Sequence, residues 1–408
     1  MRVAVQYGTE STELDVRDDC YVPLAGEPPL PALQDVADAV TKAIEQPHEF
    51  PPLRQAIVPG DHVTIVVDDD IPSPANVLGP IVECLADGGV APGDITIMQV
   101  AWREDGRGSL TPDNLPPGIR LVPHDPDDRG QLSYLASTKS GTRVYLNRHV
   151  VDADLVILLG RVDYHPILGY RGTGSSVFPG LADAAAQQQF RGKISGAFDA
   201  RIRAAARHDA DEVAWLLGVQ FAIQVVVGEN DRIVEVVAGA YAPVQARAQQ
   251  LLDRCWKRRA ARRADLVVAT IRGAASDQGF EELGRSLDNA LALVRDGGRV
   301  AVLSSVGGSA GAALQTACSQ QDPTKLLDIL KRQPAVDTIS TWQIVRACQS
   351  TRVYLLSRLD QDLVEELSIT PIDSVSELQR LVHQSPSCVV LNDAPRVSVE
   401  SEHAESAR

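Results

Sequence analysis

The sequence predicts an α/β protein with mostly parallel sheets divided between two α/β domains, and three observations predict it. Short apolar runs, VTIVV at 63–67 and DLVILLG at 154–160 among them, have the length of strands buried on both faces and are too short for helices. Segments of helical spacing lie between such runs, as at 78–85 and 279–294. Glycine, proline and acidic clusters such as Pro59-Gly60-Asp61 punctuate the joins. Strands that alternate with helices along one chain pair in parallel and carry the helices on the faces of the sheet.

In chain order, MRVAVQY opens as a strand, and Pro28, Pro29 and Pro31 connect it to a helix over 33–44. The strand at 63–67 ends in three aspartates, Asp68 to Asp70. A helix over 78–85 stops at Gly88-Gly89, and 95–100 is the next strand. Short strands follow at 119–123 and 143–146, then the strong one at 154–160. Residues 180–217 are alanine-rich and helical, with a break around Gly192 to Gly196. The runs at 221–227 and 232–237, separated by Glu229-Asn230-Asp231, form a hairpin, and 242–256 is a helix with Pro243 tolerated in its first turn. A second α/β unit opens with the strand at 265–270 and continues through the helix at 279–294 and the strand at 298–303. Helices at 326–332 and 342–348 and strands at 353–356 and 388–391 complete it. The expected domains are 1–262 and 263–392, with a polar tail, 393–408, that packs back on the first domain or frays.

The composition excludes several classes. With 39 basic and 54 acidic residues in 408, the net charge is -15, which repels a phosphate backbone and argues against nucleic acid as a partner. No stretch approaches the roughly 18 apolar residues of a membrane span. The opening residues lack the basic and apolar regions of a signal peptide, so the expected compartment is the cytoplasm. The six cysteines form no CxxC pair and read as scattered reduced thiols. The run WKRRAARR at 256–263 reads as a solvated helix end. GGSAGA at 307–312 has neither GxGxxG spacing nor a Walker lysine, so it is a weak nucleotide signal.

Ligands of parallel α/β sheets bind beyond the carboxyl ends of the strands, so the loops after 67, 100 and 160 are the places to look. Asp68, Asp69 and Asp70 crowd like charges there: one can cap the next helix, while Asp68 can act as a base or orient a polar ligand. Directly after the strongest strand stands His165, in RVDYHPILGYRGTGSS, a general-base candidate beside Pro166 and the glycines 169, 172 and 174 that permit close backbone approach. Arg161, Arg171 and Tyr164 lie near enough in sequence to hold a carboxylate or phosphate. In the second unit Glu282 and Arg285 share a helical face, either as a surface pair or as ligand contacts.

The opening strand, PLRQAIVPGDHVTIVVDDDIPSPAN from Pro52, LADGGVAPGDITIMQV from Leu85, LVPHD from Leu121, the run from Gly141 through DYHPILGYRGTGSSVFPG, and LDNAL from Leu287 together resemble the nickel-dependent lactate racemase family, over roughly residues 1 to 300. The resemblance implies two α/β domains around an interdomain cleft. It also implies a nickel-pincer nucleotide tethered to a lysine, a histidine ligand to nickel, and two further histidines that move the proton of a 2-hydroxy acid. Carried over by position, Asp68 matches the opening aspartate of one motif, with Pro72 and Pro74, but the family's threonine and arginine are Asp70 and Ile71. The glycine-threonine-histidine run becomes Trp102, Arg103 and Glu104, so one proton-transfer histidine is absent, with Glu104 or Asp105 as its candidate substitute. His165-Pro166 matches the other. The tethering lysine falls at Ser175, within the Gly172 to Ser175 turn where Gly172 and Gly174 match the cofactor-binding positions, and the nickel histidine falls near Arg191. A glutamine and lysine three apart fall at Glu282 and Arg285.

The resulting expectation is a divergent member without the lysine-tethered nickel cofactor. It would be a racemase, epimerase or related enzyme acting on a small anionic or polyhydroxy compound. His165, Asp68 and Glu104 are the catalytic candidates, and Arg285, Glu282, Arg103, Arg171 and Tyr164 the substrate-binding candidates. The competing expectations are a binding or scaffold protein that keeps the fold without turnover and, less favoured, a true nickel-dependent racemase. No metal ligand is assigned, and a homodimer is left open.

Overall fold

The computed structural model describes residues 1–401 apart from 69, 101–109, 112–114, 196–198 and 321. The chain divides into two compact units, one of Pro28–Phe190 with Phe198–Cys255, the other of Met1–Glu27, Arg191–Ala197 and Trp256–Arg408. Among the described residues no helix is long and apolar enough to cross a membrane.

The first unit is built on a six-stranded sheet in the order Ile233–Ala240, Phe221–Val227, Leu155–Arg161, Val63–Asp68, Ile95–Val100, Arg120–Pro123. Every neighbouring pair is parallel except the hairpin of the first two. The strand Val63–Asp68 is buried along its whole length, as its uninterrupted apolar run requires. Ile65 lies level with Ile97 on one side and Ile157 on the other, and all three belong to one core with Phe221 and Ile223. The hairpin turns as expected at Asn230, whose φ of 58° is the left-handed conformation that asparagine tolerates. The helical stretch divides into Ala184–Arg191 and Ala200–Leu216.

Two hairpins escaped the sequence. Arg143–Asn147 does not join the sheet but pairs antiparallel with Leu132–Ser137, a segment whose mixed polarity shows no clear period. Asp163–His165 pairs with Gly169–Arg171 immediately after the Leu155–Arg161 strand.

The second unit has a five-stranded parallel sheet in the order Thr370–Pro371, Arg352–Leu356, Val294–Leu303, Ala264–Thr270, Cys388–Leu391. The N-terminal hairpin Arg2–Tyr7 with Glu10–Asp15 belongs here, because Val5, Leu14 and Val16 share a core with Leu266, Val268 and Leu303. The division therefore differs from the expected cut at 262: the first 27 residues go with the later unit. The basic run is not a helix end. Lys257–Ala260 is the middle strand of a three-stranded sheet between Leu24–Ala25 and Ser398–Ser401. Glu400 meets Lys257 Nζ at 2.7 Å and Arg259 Nε at 3.2 Å, so part of the tail expected to fray is ordered by backbone pairing and opposite charge.

The glycine-serine loop is likewise occupied from within. The helix Ala312–Ser319 begins where Asp337 accepts hydrogen bonds from the amides of Ala313 at 3.1 Å and Leu314 at 3.0 Å. A buried carboxylate thus takes the position where a phosphate would meet the helix N-terminus.

Candidate functional site

In the six-stranded sheet the chain runs outward in one direction from Val63–Asp68 through Ile95–Val100, and in the other through Leu155–Arg161. The reversal places a topological switch point between the strand ending at Asp68 and the strand ending at Arg161, where α/β sheets form ligand crevices. Asp68 stands at that point, 1 % exposed, and accepts a short hydrogen bond from Ser176 Oγ. Across the strand gap, a Cβ on Gly160 would lie 2.5 Å from Asp68 Oδ2, so the carboxylate occupies the space of a missing side chain. Neither Asp68 nor Asp70 caps the following helix, whose N-cap is Ser73.

Near Asp68 lies an ion network that is largely buried except at Asp231. Arg171 pairs with Asp70 at short range and with Asp163 at 3.8 Å. Arg161 meets Asp163 at 3.9 Å and Asp231 at 3.7 Å. The arginines expected to hold a ligand anion are therefore held by the chain's own carboxylates.

His165 is buried beside the Phe190 ring, 5.7 Å between centroids. Its Nδ1 accepts from the backbone amides of Ile167 and Leu168, each at 3.2 Å. A ring nitrogen that accepts has no hydrogen, so the neutral imidazole carries its proton on Nε2. The hairpin that bears His165 is pinned from two helices. Asp253, on Tyr241–Trp256, accepts from Tyr164 Oη at 2.9 Å and from Tyr170 Oη at 2.9 Å. Arg203 and Arg207, on Ala200–Leu216, donate to the carbonyls of Pro166 and Leu168. Burial, reinforced by the Asp253 charge, raises the Tyr164 phenol far above its usual range. Its hydroxyl is a fixed hydrogen-bond donor to Asp253.

The turn Gly172 to Ser175 is closed by internal contacts. Ser175 Oγ donates to Gly172 O at 2.6 Å and accepts from Gly172 N at 3.1 Å. A Cβ on Gly172 would meet Gln224 Nε2 at 2.2 Å, and one on Gly174 would meet Tyr241 Oη at 1.8 Å. Tyr241 is itself fixed, donating to Asp211 at 2.8 Å and accepting from Gln245 at 2.5 Å. Burial, then Asp211, raises its phenol too. A recess of about 10 Å³ remains, lined by Arg171, Ser175, Arg207, Asp211, Gln224 and Gln245, with room for about one water.

Arg285 and Glu282 lie in the other unit, on the helix Phe280–Leu293. Glu282 accepts from the Gly279 amide at 2.8 Å and so caps that helix, and Arg285 donates to Glu281 one turn away at 2.5 Å. Arg103 and Glu104 fall outside the described residues. The sequence missed Asp163, Ser176, Gln224, Asp211, Tyr241 and Asp253, most of which reach the site from distant segments. One signal was present: Gln224 is a lone polar residue in the otherwise apolar strand Phe221–Val227.

These residues do not fit a lysine-tethered nickel nucleotide. Ser175 has no amine to tether, its hydroxyl is engaged with Gly172, and Tyr241 and Gln224 fill the approach to the glycines. Arg191, at the end of Ala184–Arg191, has a guanidinium with no lone pair for a metal. Among the described residues no group of three or more His, Cys, Asp or Glu side chains is placed to hold a metal ion. Burial also pushes the Cys348 and Cys388 thiols up to about 12, which leaves them protonated and poor nucleophiles.

Residues 7–194 match the lactate racemase N-terminal domain. The lactate racemase apoprotein from Thermoanaerobacterium thermosaccharolyticum superposes with a TM-score of 0.83 at 18 % identity, over 98 % of this chain and 100 % of that one. A protein of known structure from Thermotoga maritima superposes with a TM-score of 0.65 at 12 % identity, over 93 % of this chain and 100 % of its own. At such identities these likenesses establish the fold. No curated protein matches the sequence. With a lactate racemase N-terminal domain match over residues 7–194 and an α/β fold like that of the lactate racemase apoprotein, the chain is a divergent lactate-racemase-like protein.

Proposed function

We propose that this chain is an isomerase-type enzyme, a racemase or epimerase, that acts at a hydroxyl-bearing carbon of a small polar compound without a tethered nickel nucleotide. The observation that carries the reading is His165: two backbone amides fix its tautomer, and a hairpin pinned by Asp253, Arg203 and Arg207 fixes its position. An imidazole held this way is pre-organised to donate from Nε2 to a substrate oxygen. Asp68, oriented by Ser176, is the carboxylate at the switch point. Glu104 is proposed, from its sequence position, as the acid–base counterpart of His165, with Arg103 as an outer contact. A small ligand, a homodimer and a cytoplasmic setting complete the reading.

The test is exchange of carbon-bound hydrogen. Panels of 2-hydroxy acids, sugars and polyols are incubated with the protein in deuterated water and read by mass spectrometry and chiral chromatography. Deuterium incorporation or stereochemical scrambling that His165→Asn abolishes supports the reading. Asparagine keeps an acceptor for the Ile167 and Leu168 amides but has no counterpart to Nε2, so it separates chemistry from folding. A second reading, binding without turnover, is favoured by the recess that holds about one water. Ligand-induced stabilisation without any exchange would establish it.

A further inference from the structure

We infer that the ligand of this site presents a neutral or cationic hydrogen-bond donor to the strand ends and is not held there by a free carboxylate, an assignment that rests on the reading of a small hydroxylated ligand given above. The charge arrangement points to it. Arg171, 5 % exposed, is paired with Asp70 and Asp163, and Arg161 is shared between Asp163 and Asp231. Asp68 adds a further buried carboxylate beside them. An incoming carboxylate would have to displace Asp70 or Asp163 from a guanidinium already desolvated around it, with Asp68 repelling it. At positions 70 and 71 the chain places a carboxylate and the buried apolar Ile71, and neither attracts an anion.

A second observation is independent of the ion pairs. Gln224 is 1 % exposed and lines the recess beside Arg171 and Ser175. Its Nε2 donates to Thr173 Oγ1 at 3.4 Å, while its Oε1 has no hydrogen-bond partner among the described residues. Gln224 Oε1 can therefore take a hydrogen bond from a hydroxyl, an ammonium or a water, and a carboxylate has no hydrogen to give it.

The experiment uses the full chain and three probes of matched size: gluconate, sorbitol and glucosamine, titrated calorimetrically at constant ionic strength. Wild type is expected to bind sorbitol or glucosamine at least about tenfold more tightly than gluconate. Asp70→Asn, which removes the charge nearest Arg171 and keeps the shape, is expected to gain about tenfold in gluconate affinity with no gain for sorbitol. Tighter gluconate binding by wild type, lost in Arg171→Gln, would overturn the inference. So would an Asp70→Asn protein that unfolds cooperatively yet gains no affinity for gluconate. If no probe binds wild type but Asp70→Asn gains gluconate, the functional reading fails and the charge assignment stands. Should Asp70→Asn not fold, Asp163→Asn makes the same comparison, since Asp163 is the other carboxylate on Arg171.

Discussion

Gly160 and Asp68 occupy one space: a Cβ on the glycine would stand 2.5 Å from the aspartate's Oδ2. A glycine inside a buried strand sacrifices packing and costs conformational entropy, so its presence next to the end of Leu155–Arg161 has to be offset by something it admits. What it admits is a carboxylate at the switch point of the sheet, bonded to Ser176 and 1 % exposed. Gly160→Ala should destabilise the protein by about 1–3 kcal/mol through overpacking and drive Asp68 away from Ser176. Urea unfolding measures the first effect, and loss of any Asp68-dependent ligand binding the second.

The two phenols that converge on Asp253 give a separate handle on the hairpin. Asp253→Ala removes the acceptor of Tyr164 and Tyr170 at once and should cost about 1.5–3 kcal/mol, the range of hydrogen bonds to charged groups. The carboxylate is, after burial, a cause of the raised Tyr164 phenol, so that phenol should ionise at lower pH in the variant. A spectrophotometric alkaline titration that shows no difference from wild type would remove Asp253 from this role.

His124 supplies an acid-sensitive bond. Its Nε2 donates to Ala182 O at 2.9 Å and its Nδ1 lies 3.3 Å from Asn147 Nδ2, so both ring nitrogens are engaged in the neutral form. Burial lowers its pKa below the ordinary 6.5, against the opposing pull of the Ala182 bond. Below pH 6.5 the unfolded chain takes up a proton there more readily than the folded one, so stability falls as pH drops through that window and carries no such penalty above it. His149 shifts the same way, first through burial and then through Arg120 and Arg148. Thermal midpoints measured from pH 7 down to pH 5 should fall less steeply for His124→Gln, whose amide can still donate to Ala182.

Asp337 closes the helix behind the glycine-serine loop. Asp337→Ala should cost about 1–2 kcal/mol, the value of a lost N-cap, because the Ala313 and Leu314 amides lose their buried acceptor. Saturable phosphate binding by this variant, absent in wild type, would show that the carboxylate does occupy an anion position. Chemical denaturation and phosphate titration of one preparation read both effects.

Much of the α/β architecture is legible in the sequence, because parallel strands buried on both faces leave continuous apolar runs and helices leave periodic ones. The strands at 63–67, 95–100, 154–160 and 265–270 are where those runs placed them. The placement of Asp68 and His165 at the ends of neighbouring strands was legible as well, because each directly follows an apolar run. Tertiary structure alone decided what these groups do. That Arg171 answers Asp70 across about a hundred residues, that Asp253 gathers two tyrosines, and that Gln224 and Tyr241 fill the space over Gly172 and Gly174 are consequences of strand order and helix packing. The WKRRAARR run is the same lesson. Its charge was plain in the sequence, but its conversion to a strand depended on Glu400 and the tail lying beside it. Local pattern records which residues must leave water. Which buried charges neutralise one another depends on distances between segments that no local pattern contains.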